Sequence, residues 1–156
     1  MLRPLLVGVA ITLGTIIIHG LLLGLIIARV RRDLQLGRVG VRFWLDLTFV
    51  TSVTMLALTA HLVEIAMWAL VFDLCGEFSN FAPAFYHSAV NYTSLGYGDV
   101  IMSARWKLLG PLETADGMLM FGVSTAMIFG VVQRLIQTRF HLSDRPSDSA
   151  GSSNIN

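Results

Sequence analysis

Seven consecutive residues, Thr93-Ser94-Leu95-Gly96-Tyr97-Gly98-Asp99, carry chemistry in their backbone more than in their side chains. A strand whose successive carbonyl oxygens face one way can replace the hydration shell of a cation. That arrangement requires backbone angles which glycine adopts without steric cost, and Gly96 and Gly98 supply them at alternate positions. Ser94 adds a hydroxyl at the inner end of this ladder. Tyr97 is expected to point away from the axis and brace the strand against the surrounding pore helix, and Asp99 sets a carboxylate at the outer mouth.

The flanks separate this motif from an ordinary glycine-rich turn. Phe81–Tyr92 has a proline suited to the first helical turn at Pro83, and it is long enough for about three turns but too short to cross a bilayer. It reads as a re-entrant pore helix whose C-terminal end aims a partial negative charge at the ion path, favouring a cation. Residues 45–137 resemble the potassium-channel pore-domain family, whose loop reads Thr-Val-Gly-Tyr-Gly. In that resemblance Ser94 stands for the usual threonine and Leu95 for the usual valine or isoleucine, while Gly96, Tyr97, Gly98 and Asp99 match unchanged. It implies a filter over Thr93, Ser94, Leu95, Gly96, Tyr97 and Gly98, with K+ held by the backbone carbonyls of Ser94, Leu95, Gly96 and Tyr97. It also implies a homotetramer. A proline often follows the aspartate in the family; Val100-Ile101-Met102-Ser103 lacks it, so the outer mouth is expected to follow its own path.

Composition points to a membrane protein independently: of 156 residues 54% are apolar and 13% charged, and the apolar ones fall in long blocks. Three blocks reach the roughly twenty residues needed to span a bilayer: Leu5–Ala28, Phe43–Phe72 and about Leu108–Leu135. The first is read as a retained helix instead of a secretory signal, because its basic flank, Arg29, Arg31 and Arg32, follows the apolar core. The expected fold is all-α: three transmembrane helices plus a re-entrant pore helix and a selectivity-filter loop. Its segments are an N-terminal helix (1–28), a basic linker (29–42), a pore domain (43–137) and a disordered tail (138–156). Within the pore domain lie an outer helix (43–72), the pore helix (81–92), the filter (93–99) and an inner helix (108–137).

Residues 29–42 hold five arginines and the chain after Val132 three, against two basic residues between Asp73 and Glu113. Both arginine-rich sides are therefore expected in the cytoplasm and the amino terminus outside, in a plasma membrane or a bacterial inner membrane. The linker arginines also suit anionic lipid head groups. Asp73, Glu77, Asp99, Glu113 and Asp116 are read as outer charges that concentrate cations.

On the third block, Gly117 resembles the hinge glycine of the family's inner helix, with close helix contact an equal reading. Gly122, Thr125, Phe129 and Gln133 form one stripe expected to face a cavity, where Phe129 would supply a dewetting ring. His61 and Glu64, three apart on the second block, are expected to support the filter from behind. Ionisable residues at this depth are costly unless paired. His19 reads as a packing residue, and the lone Cys75 as an outer thiol. Spacing along the chain reveals no metal-ligand cluster, nucleophile elbow or phosphate-cradling loop, so neither catalysis nor a cofactor is expected. The expected partners are K+ as permeant ligand, membrane lipids and copies of the chain, with no nucleic acid. The alternatives are a weakly selective cation channel, or a non-conducting membrane interaction protein that keeps the pore scaffold.

Overall fold

Four helices, α1 (Leu2–Gln35), α2 (Phe43–Leu74), α3 (Phe81–Tyr92) and α4 (Leu109–Ser143), make up a computed structural model that describes residues 2–36 and 43–143. The fold is all-α, and α1, α2 and α4 are each long and apolar enough to cross a membrane. Many large apolar side chains face outward, among them Leu6, Ile17, Leu25, Met118 and Leu119. Such a surface suits hydrocarbon or neighbouring subunits and would be costly in water.

α1 runs on through Arg29, Arg31 and Arg32, so the first half of the expected linker is helical. Nothing between Ala28 and Leu36 is a glycine or proline, and Arg29 pairs with Asp33 one turn later at 3.5 Å. α4 likewise continues past Gln137 to Ser143. The remainder of the expected linker and tail, residues 37–42 and 144–156, lies outside the described residues.

α2 stops at Leu74 by a recognisable device. Gly76, at φ 74°, lets its own N–H reach Asp73 O at 2.9 Å and lets Glu77 N–H reach Phe72 O at 3.1 Å, which satisfies the last helical carbonyls. The turn that follows delivers α3. Asn80 is extended at the start of α3, and Pro83 sits in its first turn, where a missing N–H leaves no hydrogen bond unmade.

Thr15 of α1 meets Asp116 of α4, and four residues on His19 meets Ser124, whereas the α2 residues at these two levels run backwards, Trp68 bonding Asp116 and Glu64 bonding His19. α1 and α4 are thus parallel, α2 antiparallel to both. Trp68, Phe72, Tyr92 and Leu109 fill the core around the short helix, and Leu22, Ile26, Val53, Ala60, Val131 and Leu135 fill a second core at the far end of the bundle. Arg139 reaches Asp46 at 3.0 Å and ties that far end together.

Candidate functional site

The strand after α3 has a backbone of alternating hand. Ser94, Gly96 and Gly98 lie at φ 61°, 57° and 71°, whereas Leu95 and Tyr97 between them keep negative φ. Alternation of this kind turns successive peptide planes so that their carbonyls come out on one side, the geometry a cation ladder needs. A Cβ added to Gly96 or Gly98 would meet nothing within 4 Å, so what demands glycine there is the backbone angle and not a lack of space. Ser94 adopts the same region at a cost of about 1 kcal/mol.

α3 hands its last carbonyls to the strand. Thr93 N–H donates to Ala89 O, Ser94 N–H to Asn91 O, and both Leu95 and Gly96 N–H to Val90 O, at 2.9 and 3.2 Å for the last two. These bonds fix where the strand starts relative to the helix axis. At the other end Tyr86 Oη donates to Asp99 Oδ2 at 2.8 Å, which holds the Tyr86 phenol above its ordinary pKa, and Glu77 accepts from Ser103 N–H and Oγ, both at 2.6 Å. Asn91 bonds His87 Nε2 at 2.9 Å, and burial pushes the His87 imidazole below its ordinary value.

Leu95 and Tyr97 are 55% and 65% exposed within the single chain. Most of the Tyr97 ring is therefore left uncovered by its own chain.

Glu64 and His61 meet the end of α3, next to where the strand starts. Glu64 accepts from Tyr92 Oη and contacts His19 Nδ1 at 2.6 Å, while His61 Nδ1 meets Tyr92 Oη at 3.1 Å and Glu64 Oε2 at 3.3 Å. Tyr92 is the residue immediately before the strand. The carboxylate that ends the strand, Asp99, is held by Tyr86 and not by Glu64. His19, read from sequence as a packing residue, is thus a full polar partner. The cue in the sequence was only that it is ionisable at membrane depth, which demands a partner without naming one.

His19, His61 and Glu64 bring one potential ligand atom each within 4.8 Å of one another, a cluster that spacing along the chain could not reveal. Both nitrogens of both imidazoles and both oxygens of Glu64 already have hydrogen-bond partners. Ser124 and Tyr92, neither of them singled out by sequence, complete the set.

Glu113 and Asp116, expected among the outer charges, are 0% and 1% exposed. Asp116 accepts from Thr15 Oγ1 and Trp68 Nε1 at 2.9 Å, and Glu113 bonds Ser88 on α3 with its second oxygen unpartnered. Neither adds charge to a mouth. Cys75 is partly buried, and burial with Glu77 beside it pushes its thiol up, away from the reactive thiolate.

Gly117 has a packing reason to be glycine. A Cβ there would lie 2.2 Å from Tyr92 O, so the inner helix touches the backbone of the short helix at the residue before the strand. Gly122 has nothing within 4 Å of its would-be Cβ, and Gly122, Thr125, Phe129 and Gln133 all stay exposed on the chain's own surface. This stripe makes no core within the chain.

Three apolar helices with a short helix and a left-right alternating strand inserted between the second and third define an all-α membrane protein built on a helix-strand hairpin. The family comparison agrees: residues 58–134, nearly half of the chain, match the family model described as "Ion channel", which supports an ion-channel pore family for this part of the chain. The match takes in the second half of α2, all of α3 and the strand, and most of α4, and leaves α1 outside. Comparison with curated proteins and with solved structures gave no match.

Proposed function

We propose that four copies of this chain form a potassium-selective channel in which Thr93–Gly98 of each copy supplies one quarter of the filter. The alternation of φ at Ser94, Gly96 and Gly98 carries the reading. It supports a row of inward carbonyls at Ser94, Leu95, Gly96 and Tyr97 that would exchange for the water around K+. The C-terminal end of α3 would add favourable potential for a cation entering that row, and Asp99 would add formal charge at the outer mouth. The outward-facing Leu95, Tyr97 and inner-helix stripe support assembly, since each needs a neighbour that one chain does not contain. Conduction is passive, and K+ is the cargo and not a resident cofactor. By arginine bias the filter end faces outside and the chain ends lie as expected from sequence, in a plasma membrane.

Potassium flux from the purified protein in liposomes, with and without barium as blocker, tests the proposal. Barium-sensitive flux from a tetramer is the expected result. Its absence from a verified tetramer would favour a non-conducting interaction protein. Ser94 and Leu95 favour one second reading, a less selective cation pore, because they change the side chains that must pack around the strand while preserving its carbonyls. Bi-ionic reversal potentials for K+ against Na+ separate the two.

A further inference from the structure

Five side chains drawn from all four helices close a circuit of hydrogen bonds behind the strand. His19 Nδ1 meets Glu64 Oε1 at 2.6 Å, and His19 Nε2 meets Ser124 Oγ at 2.7 Å. Ser124 Oγ meets His61 Nε2 at 3.1 Å, His61 Nδ1 meets Tyr92 Oη at 3.1 Å, and Tyr92 Oη returns to Glu64 Oε2. None of the five residues is more than 5% exposed.

Each link of the circuit needs one proton between its two heavy atoms. The two hydroxyls bring one proton each and two neutral imidazoles one each. These fill four of the five links. Closing the fifth link takes a fifth proton, either as a glutamic acid at Glu64 or as an imidazolium at His19 or His61 facing a Glu64 carboxylate. In every one of these arrangements the ring as a whole is neutral. Removing the fifth proton opens one link and leaves a net negative charge in a buried site, the costly state for a buried polar network.

Resting on the channel reading above, we infer that His19 is a positioning residue for conduction: through Glu64 and Tyr92 it fixes the start of the filter, and only while the ring carries its fifth proton. The path is short. Tyr92 directly precedes Thr93, its carbonyl touches Gly117 of the inner helix, and its hydroxyl is a member of the ring. α1 thereby takes part in the pore although it lies outside the stretch matched to the ion-channel family. The other ionisable groups facing the ring come from α4: Asp116, which acts on Glu64, His19 and Tyr92, and Glu113, which acts on Tyr92. Asp116 is held by Thr15 and Trp68, Glu113 by Ser88. α2 and α3 contribute only His61, Glu64 and Tyr92, already in the ring.

The test is potassium flux from the full chain in liposomes, from about pH 5 to about pH 9, which spans histidine's ordinary range and stays below that of tyrosine and lysine. Wild-type flux is expected to fall about fivefold or more at the alkaline end, the factor set by one lost buried hydrogen bond. Glu64→Gln puts in an amide that accepts from His19 and donates to Tyr92, closing all five links with no removable proton, and its alkaline fall should vanish. His19→Leu opens the ring at every pH, so its flux should sit at the reduced level throughout. Thermal unfolding midpoints in detergent read the ring without conduction: the wild-type midpoint should drop on the alkaline side and that of Glu64→Gln should not. Absence of wild-type flux with this midpoint pattern intact overturns the channel reading and, with it, the role of His19 in conduction, while the proton-loaded ring stands. A flat wild-type midpoint, or an equal alkaline drop in Glu64→Gln, overturns the ring itself. Stoichiometric zinc in the purified wild type would also overturn it, by putting a metal ion where the proton is assigned.

Discussion

The back and the front of the strand are built on opposite terms. Behind it, Tyr92, Glu64, Ser88, Glu113 and Asp116 are fully or almost fully buried and bonded to partners in the same chain. In front, Leu95, Tyr97 and the stripe from Gly122 to Gln133 have no such company. A single chain can set the position of its strand without help, but it cannot finish the surface that the strand presents. On the channel proposal the rear carries stability and the placement of the strand, the front carries assembly and the ion path, and substitutions can be chosen that strike mainly one of them.

The largest effect should come from Gly117→Val. Its side chain has to displace the Tyr92 carbonyl, and overpacking at so rigid a contact is expected to cost about 3 kcal/mol. Thermal unfolding in detergent should show a strongly lowered midpoint, with flux lost as a consequence. A near-normal midpoint would mean that the rear is softer than the contact implies. Next comes Gly98→Ala, which has space for its methyl group but not the backbone freedom, at a cost of about 1 kcal/mol. Flux should drop to background while the midpoint barely moves. Retained flux would take the strand out of the conduction path and end the comparison.

Smaller effects sharpen the boundary between the two regions. Asp99→Asn should lower single-channel conductance most at low ionic strength, where screening is weakest, and leave the midpoint unchanged. Equal conductance at all salt concentrations would remove Asp99 from the mouth. The least effect is expected from His87→Phe in acid. Burial lowers the pKa of His87 in the fold, so the unfolded chain binds more protons just below the ordinary imidazole value near pH 6.5, and stability is lost as pH falls through that window. The variant should flatten the acid limb of a midpoint-against-pH curve, on the opposite side of neutrality from any change at the ring.

The elements were legible where composition changes abruptly. The apolar run of α2, the short run of α3 bounded by Gly76 and by the strand, and the paired glycines of the strand each declare themselves within a few residues. Rotation about a helix axis was not legible. α2 is apolar nearly all round, so periodicity gives no inward face, and nothing local in the sequence says that Glu113 and Asp116 point into the bundle and not toward water. The ring was harder still, because its members come from residues 19, 61, 64, 92 and 124 and their contacts exist only once four helices have docked. Glu64 and His61 stood out by cost in a membrane. Ser124 and Tyr92 carry no such cost, and neither gave a cue.

The handedness of the strand also fixes its length. Because left-handed positions recur at every second residue from Ser94 to Gly98, inserting or deleting one residue between Tyr92 and Asp99 would move glycines onto right-handed positions and turn the carbonyls beyond that point the opposite way. Two residues would restore the parity but would break the bond from Tyr86 to Asp99 that closes the loop. The turn from Val100 to Leu108 has no such periodic constraint. Variation in chain length should therefore gather after Asp99, and an epitope or fluorophore inserted into this molecule at the strand's end of the bundle belongs between Ser103 and Lys107.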